Sequence, residues 1–196
     1  MAKILTEKNS TKKEVIIQKA ALLFKTKSYK SVSMRELAEA LGVEAPSLYN
    51  HILSKSELLQ EICFKVGNKF TVQIQMIESS NIPTINKIES IIRFHIKTML
   101  ENFDEVYVAN HEWKHLQEPY LGDFLNIRRS YEKSLVILME TGIHQNEIKK
   151  INPYVAVLTI LSAVRGLEFW QRNKKNISQQ VLEDDMVNHL LNGIIN

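Results

Sequence analysis

Apolar residues recur along this chain at helical spacing, three and four apart, and no strict apolar–polar alternation of a half-buried strand stands out. The pattern predicts a first helix over about Lys12–Lys25. Two short helical patterns and a long one (Lys55 to about Ser79) follow. Ser79-Ser80-Asn81-Ile82-Pro83 breaks the pattern, and Thr84 is expected to cap the next helix, whose stripe is Ile85, Ile88, Ile91, Ile92, Met99 and Phe103. Asp104–Gln117 reads as irregular or short-helical. Pro119 restarts a helix expected to stop at Thr141-Gly142. Asn152-Pro153 opens another to about Arg172, and Ser178–Ile194 forms the last. An all-α fold is expected, with an N-terminal three-helix unit over 1–55, a linker helix over 55–79 and a C-terminal bundle over 80–196.

The two short patterns are the most informative. Ser33-Met34-Arg35-Glu36 is a capping box, in which each side chain satisfies a free amide at the other end. Met34, Leu37, Ala38 and Leu41 form one stripe, and Gly42 follows where the chain must turn with a left-handed residue. Val43 is expected to plug the angle between the helices. Pro46 suits the opening turn of the second helix, Leu48 and Ile52 face inward, and Ser54-Lys55-Ser56-Glu57 is a second capping box. The second helix turns Ala45, Ser47, Tyr49, Asn50 and His51 outward. Hydroxyls, an amide and an imidazole replace the Glu, Lys and Gln of an ordinary surface helix, and they suit phosphate oxygens and base edges in a major groove. The segment is laid out as a helix-turn-helix. A helical hairpin inside an ordinary bundle is the bland alternative.

This segment resembles the N-terminal domain of the tetracycline-repressor family of bacterial transcriptional regulators. The likeness covers roughly residues 12–60. It rests on Ile17, Ala20, Ala21, Phe24, Ser33, Ala38, the run Leu41-Gly42-Val43-Glu44 through Pro46-Ser47-Leu48-Tyr49, His51 and Lys55. The resemblance implies that Ser33, Ser47, Tyr49, His51 and Lys55 grip phosphates. It places Arg35, Ala45, Pro46 and Asn50 nearest the bases and counts Glu44 with the DNA-facing residues. Arg35 is the candidate for a bidentate guanine contact. Ser28-Tyr29 stands where the family usually has glycine, and Ile52 stands where an aromatic residue is common. The resemblance further implies a double-stranded DNA operator, a small-molecule effector in the C-terminal bundle, and dimerisation through the last two helices.

Composition narrows the field. The chain has 196 residues, 44% hydrophobic, enough for a real core. It holds one cysteine, no signal-peptide h-region and no apolar run of membrane-spanning length, so a cytoplasmic protein is expected. Net charge is only +3, but residues 1–30 carry eight lysines against two glutamates, a local balance of +6. Lys8, Lys12, Lys13, Lys25, Lys27 and Lys30 are expected to surround the helix-turn-helix with positive potential.

Three further readings concern the remainder. The segment from Pro153 to Arg172 is apolar on more than one face, which predicts a homodimer interface formed by helices over about 153–172 and 178–195. The alternative is a buried central helix of a monomer. His111-Glu112-Trp113-Lys114-His115 spells H-E-x-x-H, whose histidines on one helix face could bind zinc with Glu112 as base. No third-ligand element follows and Lys114 adds charge beside the metal, so a peptidase is the competing function and no catalytic residue is assigned. His95 can join His111 and His115 in a non-catalytic metal or effector site, or all three can serve as hydrogen-bonding or exposed imidazoles. No cofactor is required; a bound metal ion or an effector is the candidate ligand. An effector pocket is expected from Met99, Phe103, Tyr107, Trp113, Arg128, Tyr131 and Phe169, with Leu116, Phe124 and Leu135; each is also an ordinary core residue by type. Cys63, among Ile62, Phe64 and Val66, reads as a small core residue rather than an oxidation sensor.

Overall fold

The computed structural model describes residues 12–172 and 177–195. Among them the chain forms ten α-helices and one 3₁₀ turn: α1 Lys12–Lys27, α2 Met34–Leu41, α3 Ala45–Tyr49, α4 Lys55–Glu78, α5 Thr84–Glu101, α6 Phe103–His111, the 3₁₀ turn Trp113–His115, α7 Tyr120–His144, α8 Pro153–Arg165, α9 Leu167–Arg172 and α10 Gln179–Asn192. The all-α expectation holds; among the described residues the one extended pairing is an isolated bridge between Ile148 and Ile195.

Two compact units divide the chain. The first contains the N-terminal part through Val66 together with Asp104–Phe124; the second contains Gly67–Phe103 and Leu125 onward. The N-terminal unit therefore takes in α6 and the 3₁₀ turn, distant in sequence. Its core is Phe24, Ala20, Ala21, Leu37, Leu48, Ile52, Leu58, Leu59 and Ile62, all essentially sealed from solvent. Cys63 lies in that core, fully buried, where it behaves as a small apolar side chain.

In the second unit, α5 is the central helix, and α8, α9 and α10 all pack against it. Its start is capped from outside. Thr84 is the first helical residue rather than the cap, and its hydroxyl donates to Gln145 Oε1 at 2.7 Å. The Ile85 amide donates to Glu147 Oε2 at 2.7 Å. Arg93, midway along α5, meets Glu89 at 2.8 Å, Glu183 at 2.9 Å and Asp184 at 3.0 Å, tying α5 to α10. That triple carboxylate company, Glu89 foremost, raises its proton affinity further.

Helix α7 runs past its expected stop. Gly142 lies inside it, and a Cβ there would stand 2.5 Å from Ile148 Cδ1 and 2.9 Å from Cγ1. The glycine thus marks a close approach rather than a terminus. The chain instead turns at Asn146, which adopts φ 58°, a conformation asparagine tolerates better than most residues. The expected long helix to Arg172 is two, with Gly166 between α8 and α9.

Candidate nucleic-acid interface

Helix α2 begins as its sequence dictates. Ser33 Oγ accepts from the Glu36 amide at 3.1 Å. The Glu36 carboxylate takes the Lys27 ammonium, which with the Ser33 amide holds its proton affinity down. Gly42 ends the helix at φ 69°, with its own amide donating to Glu39 O and the Val43 amide to Ala38 O, both at 3.1 Å. A Cβ at Gly42 would meet nothing within 4 Å, so backbone conformation alone favours glycine there. Val43 does not fill the corner between the helices; it is 42% exposed. Leu37 and Ala38 of α2 and Leu48 and Ile52 around α3 supply that packing.

Helix α3 has Pro46 in its first turn and Glu44 as N-cap without a side-chain bond. It is shorter than expected, ending at Tyr49, and Asn50 and His51 continue as a turn held by His51 N to Leu48 O at 3.0 Å. Leu48 and Ile52 pin this element from beneath, with 1% and no exposure respectively. Everything else is turned out: Glu44, Pro46, Ser47, Tyr49, Asn50 and His51 are exposed, and Ala45 is half-buried. Arg35 projects from α2 at 86% side-chain exposure, paired at 3.1 Å with Glu39, itself 66% exposed. Leu53, 79% exposed, was missed as a candidate for this ledge. Its signal was the inward pairing of Leu48 with Ile52, which leaves the next residue facing water.

Lys55 is placed differently from an open phosphate clamp. Its ammonium donates to Val32 O at 2.8 Å, Tyr29 O at 3.0 Å and Lys30 O at 3.3 Å. An ammonium has three protons, and three carbonyls of the loop before α2 account for them. That loop starts at Ser28, whose φ of 71° falls at the position where glycine is usual in the resemblance. The second capping box is displaced by one residue: Glu57 N donates to Ser54 Oγ at 3.1 Å, but Glu57 Oε2 accepts from Leu53 N at 2.7 Å.

The expected basic surround is partly spent on internal ion pairs. Lys13 bonds Glu61 at 2.6 Å, Lys25 pairs with Asp104 and Lys27 with Glu36. Lys12 and Lys30 stay exposed without an ion pair among the described residues, and Lys8 lies outside those residues.

Among the described residues the histidines are not gathered into a metal-holding group. Helix α6 ends at His111, and His115 belongs to the 3₁₀ turn, so H-E-x-x-H does not lie on one α-helical face. His111 lies against Tyr107, ring centroids 4.3 Å apart, while His115 stacks on Tyr29 at 5.5 Å and meets Glu112 at 3.3 Å. His95, in the other unit, bonds Tyr131. Among the described residues no group of three or more His, Cys, Asp or Glu is placed to hold a metal ion.

The expected effector-lining residues are divided between the two units. Tyr107 and Trp113 belong to the N-terminal unit, and Met99, Phe103, Arg128, Tyr131 and Phe169 to the second. Met99 is buried, whereas Phe169 is 70% exposed. An interior pocket of the second unit is lined by aliphatic and thioether side chains of α5, α7 and α8, Leu135 among them. Phe70, His95 and Tyr131 pack on one another in the same unit.

Residues 16–62 match the family model described as bacterial regulatory proteins, tetR family, and residues 81–194 match the tetracyclin repressor-like C-terminal domain. The chain belongs to the tetracycline-repressor family. It is a DNA-binding transcriptional regulator. A relative is the HTH-type transcriptional repressor KstR2 of Mycolicibacterium smegmatis, 20% identical over 135 residues, which are 68% of this chain and 66% of that protein. The fold superposes on the ketosteroid transcriptional regulator KstR2 of Mycobacterium tuberculosis with a TM-score of 0.88 at 16% identity, covering 96% and 97% of the two chains. It also superposes on AibR, solved with isovaleryl coenzyme A and operator DNA, with a TM-score of 0.79 at 22% identity over 91% and 97%. No described helix is long and apolar enough to cross a membrane.

Proposed function

We propose that the protein is a cytoplasmic, non-enzymatic homodimeric repressor that binds an inverted-repeat operator and is released by a small-molecule effector held in its C-terminal bundle. The carrying observation is the exposed Ser47, Tyr49, Asn50 and His51 ledge beside Arg35, anchored from beneath by sealed Leu48 and Ile52. Ser33, Ser47, Tyr49 and His51 are assigned to phosphates, and Arg35, Ala45, Pro46 and Asn50 to the bases, with Glu44 at the margin. Lys55 holds the loop that presents Ser33 and reaches the backbone only indirectly.

The dimer reading is supported by exposed apolar side chains on the last helices: Tyr154, Val155 and Leu158 on α8, Phe169 on α9 and Val181 on α10, each between 50% and 70% exposed. Such a band in water favours a second copy. Two heads about one turn of DNA (~34 Å) apart read a two-fold operator. An effector acts by favouring an arrangement that no longer spans the half-sites, and it shifts that equilibrium only by its differential affinity. The related repressors and the ligand-bound AibR structure support this assignment.

Sedimentation of the protein with operator duplex tests the assembly. Two chains per duplex, and two in its absence, are expected. A single-chain species in both samples would reject the homodimer.

A further inference from the structure

The groove between α5, α7 and α8 changes chemistry within about one helical turn. At one level Ile88, Ile92, Leu135, Met139 and Ile160 help to border an unfilled volume of about 10 Å³ whose whole lining is aliphatic or thioether. His95 follows Ile91 of that lining by four residues, and Tyr131 precedes Leu135 by four, so both stand one turn away on the same helix faces. Their polar atoms meet: His95 Nε2 and Tyr131 OH are 2.7 Å apart, under the ring of Phe70. Burial first, and the Arg165 charge on α8 second, hold the His95 imidazole neutral down to about 4. A cation at that end favours a ligand bearing oxygen or negative charge over an amine. Trp170, on the neighbouring α9, carries a buried indole N–H without an acceptor among the described residues.

We infer that this groove is the effector site and that the effector is an aliphatic acyl compound, its hydrocarbon part in the pocket and its carbonyl or carboxylate oxygen at the His95–Tyr131 pair. The inference rests on the effector-released reading above. The pocket as it stands admits about a water-sized group, and Met139, unbranched and adaptable, is the side chain whose movement lengthens it. A hydrocarbon chain gains from each methylene it buries there, and the fixed polar pair sets where the chain begins.

Octanoate and octanoyl coenzyme A, titrated separately into the full chain, test this and separate a free acid from its thioester. Octylamine is the control with the same chain and the wrong head. Calorimetry reads binding, and in a Trp113→Phe background the fluorescence of the other tryptophan, Trp170, reads it independently. Saturable binding of either acyl probe and none of octylamine is expected, with about a fourfold gain per added methylene. Tyr131→Phe should weaken binding about tenfold, the loss of one hydrogen bond. Leu135→Trp should abolish it; if that variant does not melt cooperatively, Val157→Leu must weaken binding several-fold instead. No binding of either acyl probe, equal binding of octylamine, or affinities indifferent to both Tyr131→Phe and the pocket-filling variant would overturn the inference. A gel shift on the same samples separates the two readings. Operator binding without acyl binding overturns the effector class alone, and acyl binding by a protein that ignores DNA overturns the regulator.

Discussion

Lys55 grips Tyr29 from two directions, donating to its carbonyl at 3.0 Å while its ammonium stands 4.6 Å from the centre of its ring. The same ring stacks on His115 and meets Phe24 edge-on at 5.2 Å. The loop that delivers Ser33 to the start of α2 is thus fixed by a residue of α4. Lys55→Met, which keeps the stem and loses the ammonium, is expected to cost about 2 kcal/mol of stability. Its salt dependence of DNA binding should stay close to that of the parent. A loss of about one unit of salt slope without a change in melting would make Lys55 a direct phosphate ligand instead.

Arg35 and Glu39 form an exposed i,i+4 pair of the kind worth only a few tenths of a kcal/mol, so DNA competes for the arginine easily. Arg35→Ala should cost roughly 1–3 kcal/mol at one base pair and little at the others. Glu39→Gln removes the competitor and should tighten binding to every sequence. Competition binding with single-base operator variants checks both; equal loss for Arg35→Ala on all of them would assign Arg35 to the backbone.

His95 makes the fold acid-sensitive. The unfolded chain protonates this imidazole near its ordinary pH of about 6.5, whereas the folded protein resists down to about 4. Between those values the unfolded state binds more protons, so stability rises with pH and is lost as pH falls from about 6.5 to 4. The loss is roughly 3 kcal/mol at the acid end. His95→Gln should flatten this limb of a stability–pH profile measured by urea unfolding. An unchanged slope would show that other groups carry it.

Gly142→Ala drives a methyl into the side chain of Ile148, which is 1% exposed. A destabilisation of about 1–3 kcal/mol is expected by thermal melting. Restoration by the double variant Gly142→Ala with Ile148→Val would tie the loss to that contact.

Much of the reading head was legible in the sequence because each signal there is local. A serine cap, a left-handed glycine and a first-turn proline each act within a few residues, and Ser33, Gly42 and Pro46 all do what their chemistry requires. What escaped depends on partners distant in the chain. Lys13, Lys25 and Lys27 counted as open positive charge until folding brought Glu61, Asp104 and Glu36 to them. The role of Gly142 was hidden for the same reason, since a glycine that ends a helix and one that admits a neighbour are spelled alike. His111 and His115 kept metal-like spacing in sequence, but the change from α-helix to 3₁₀ turn between them removed the shared face. One interior pocket of the second unit brings Ile88, Leu135 and Val157 together from three helices, a juxtaposition that no local spacing announces.

Selection from a random duplex pool by the purified protein, followed by sequencing, tests the central claim most directly. The account predicts an inverted repeat with half-site centres about one helical turn, ~34 Å, apart, lost on Tyr49→Ala. Enrichment of no sequence, or of one asymmetric site indifferent to Tyr49→Ala, would contradict it.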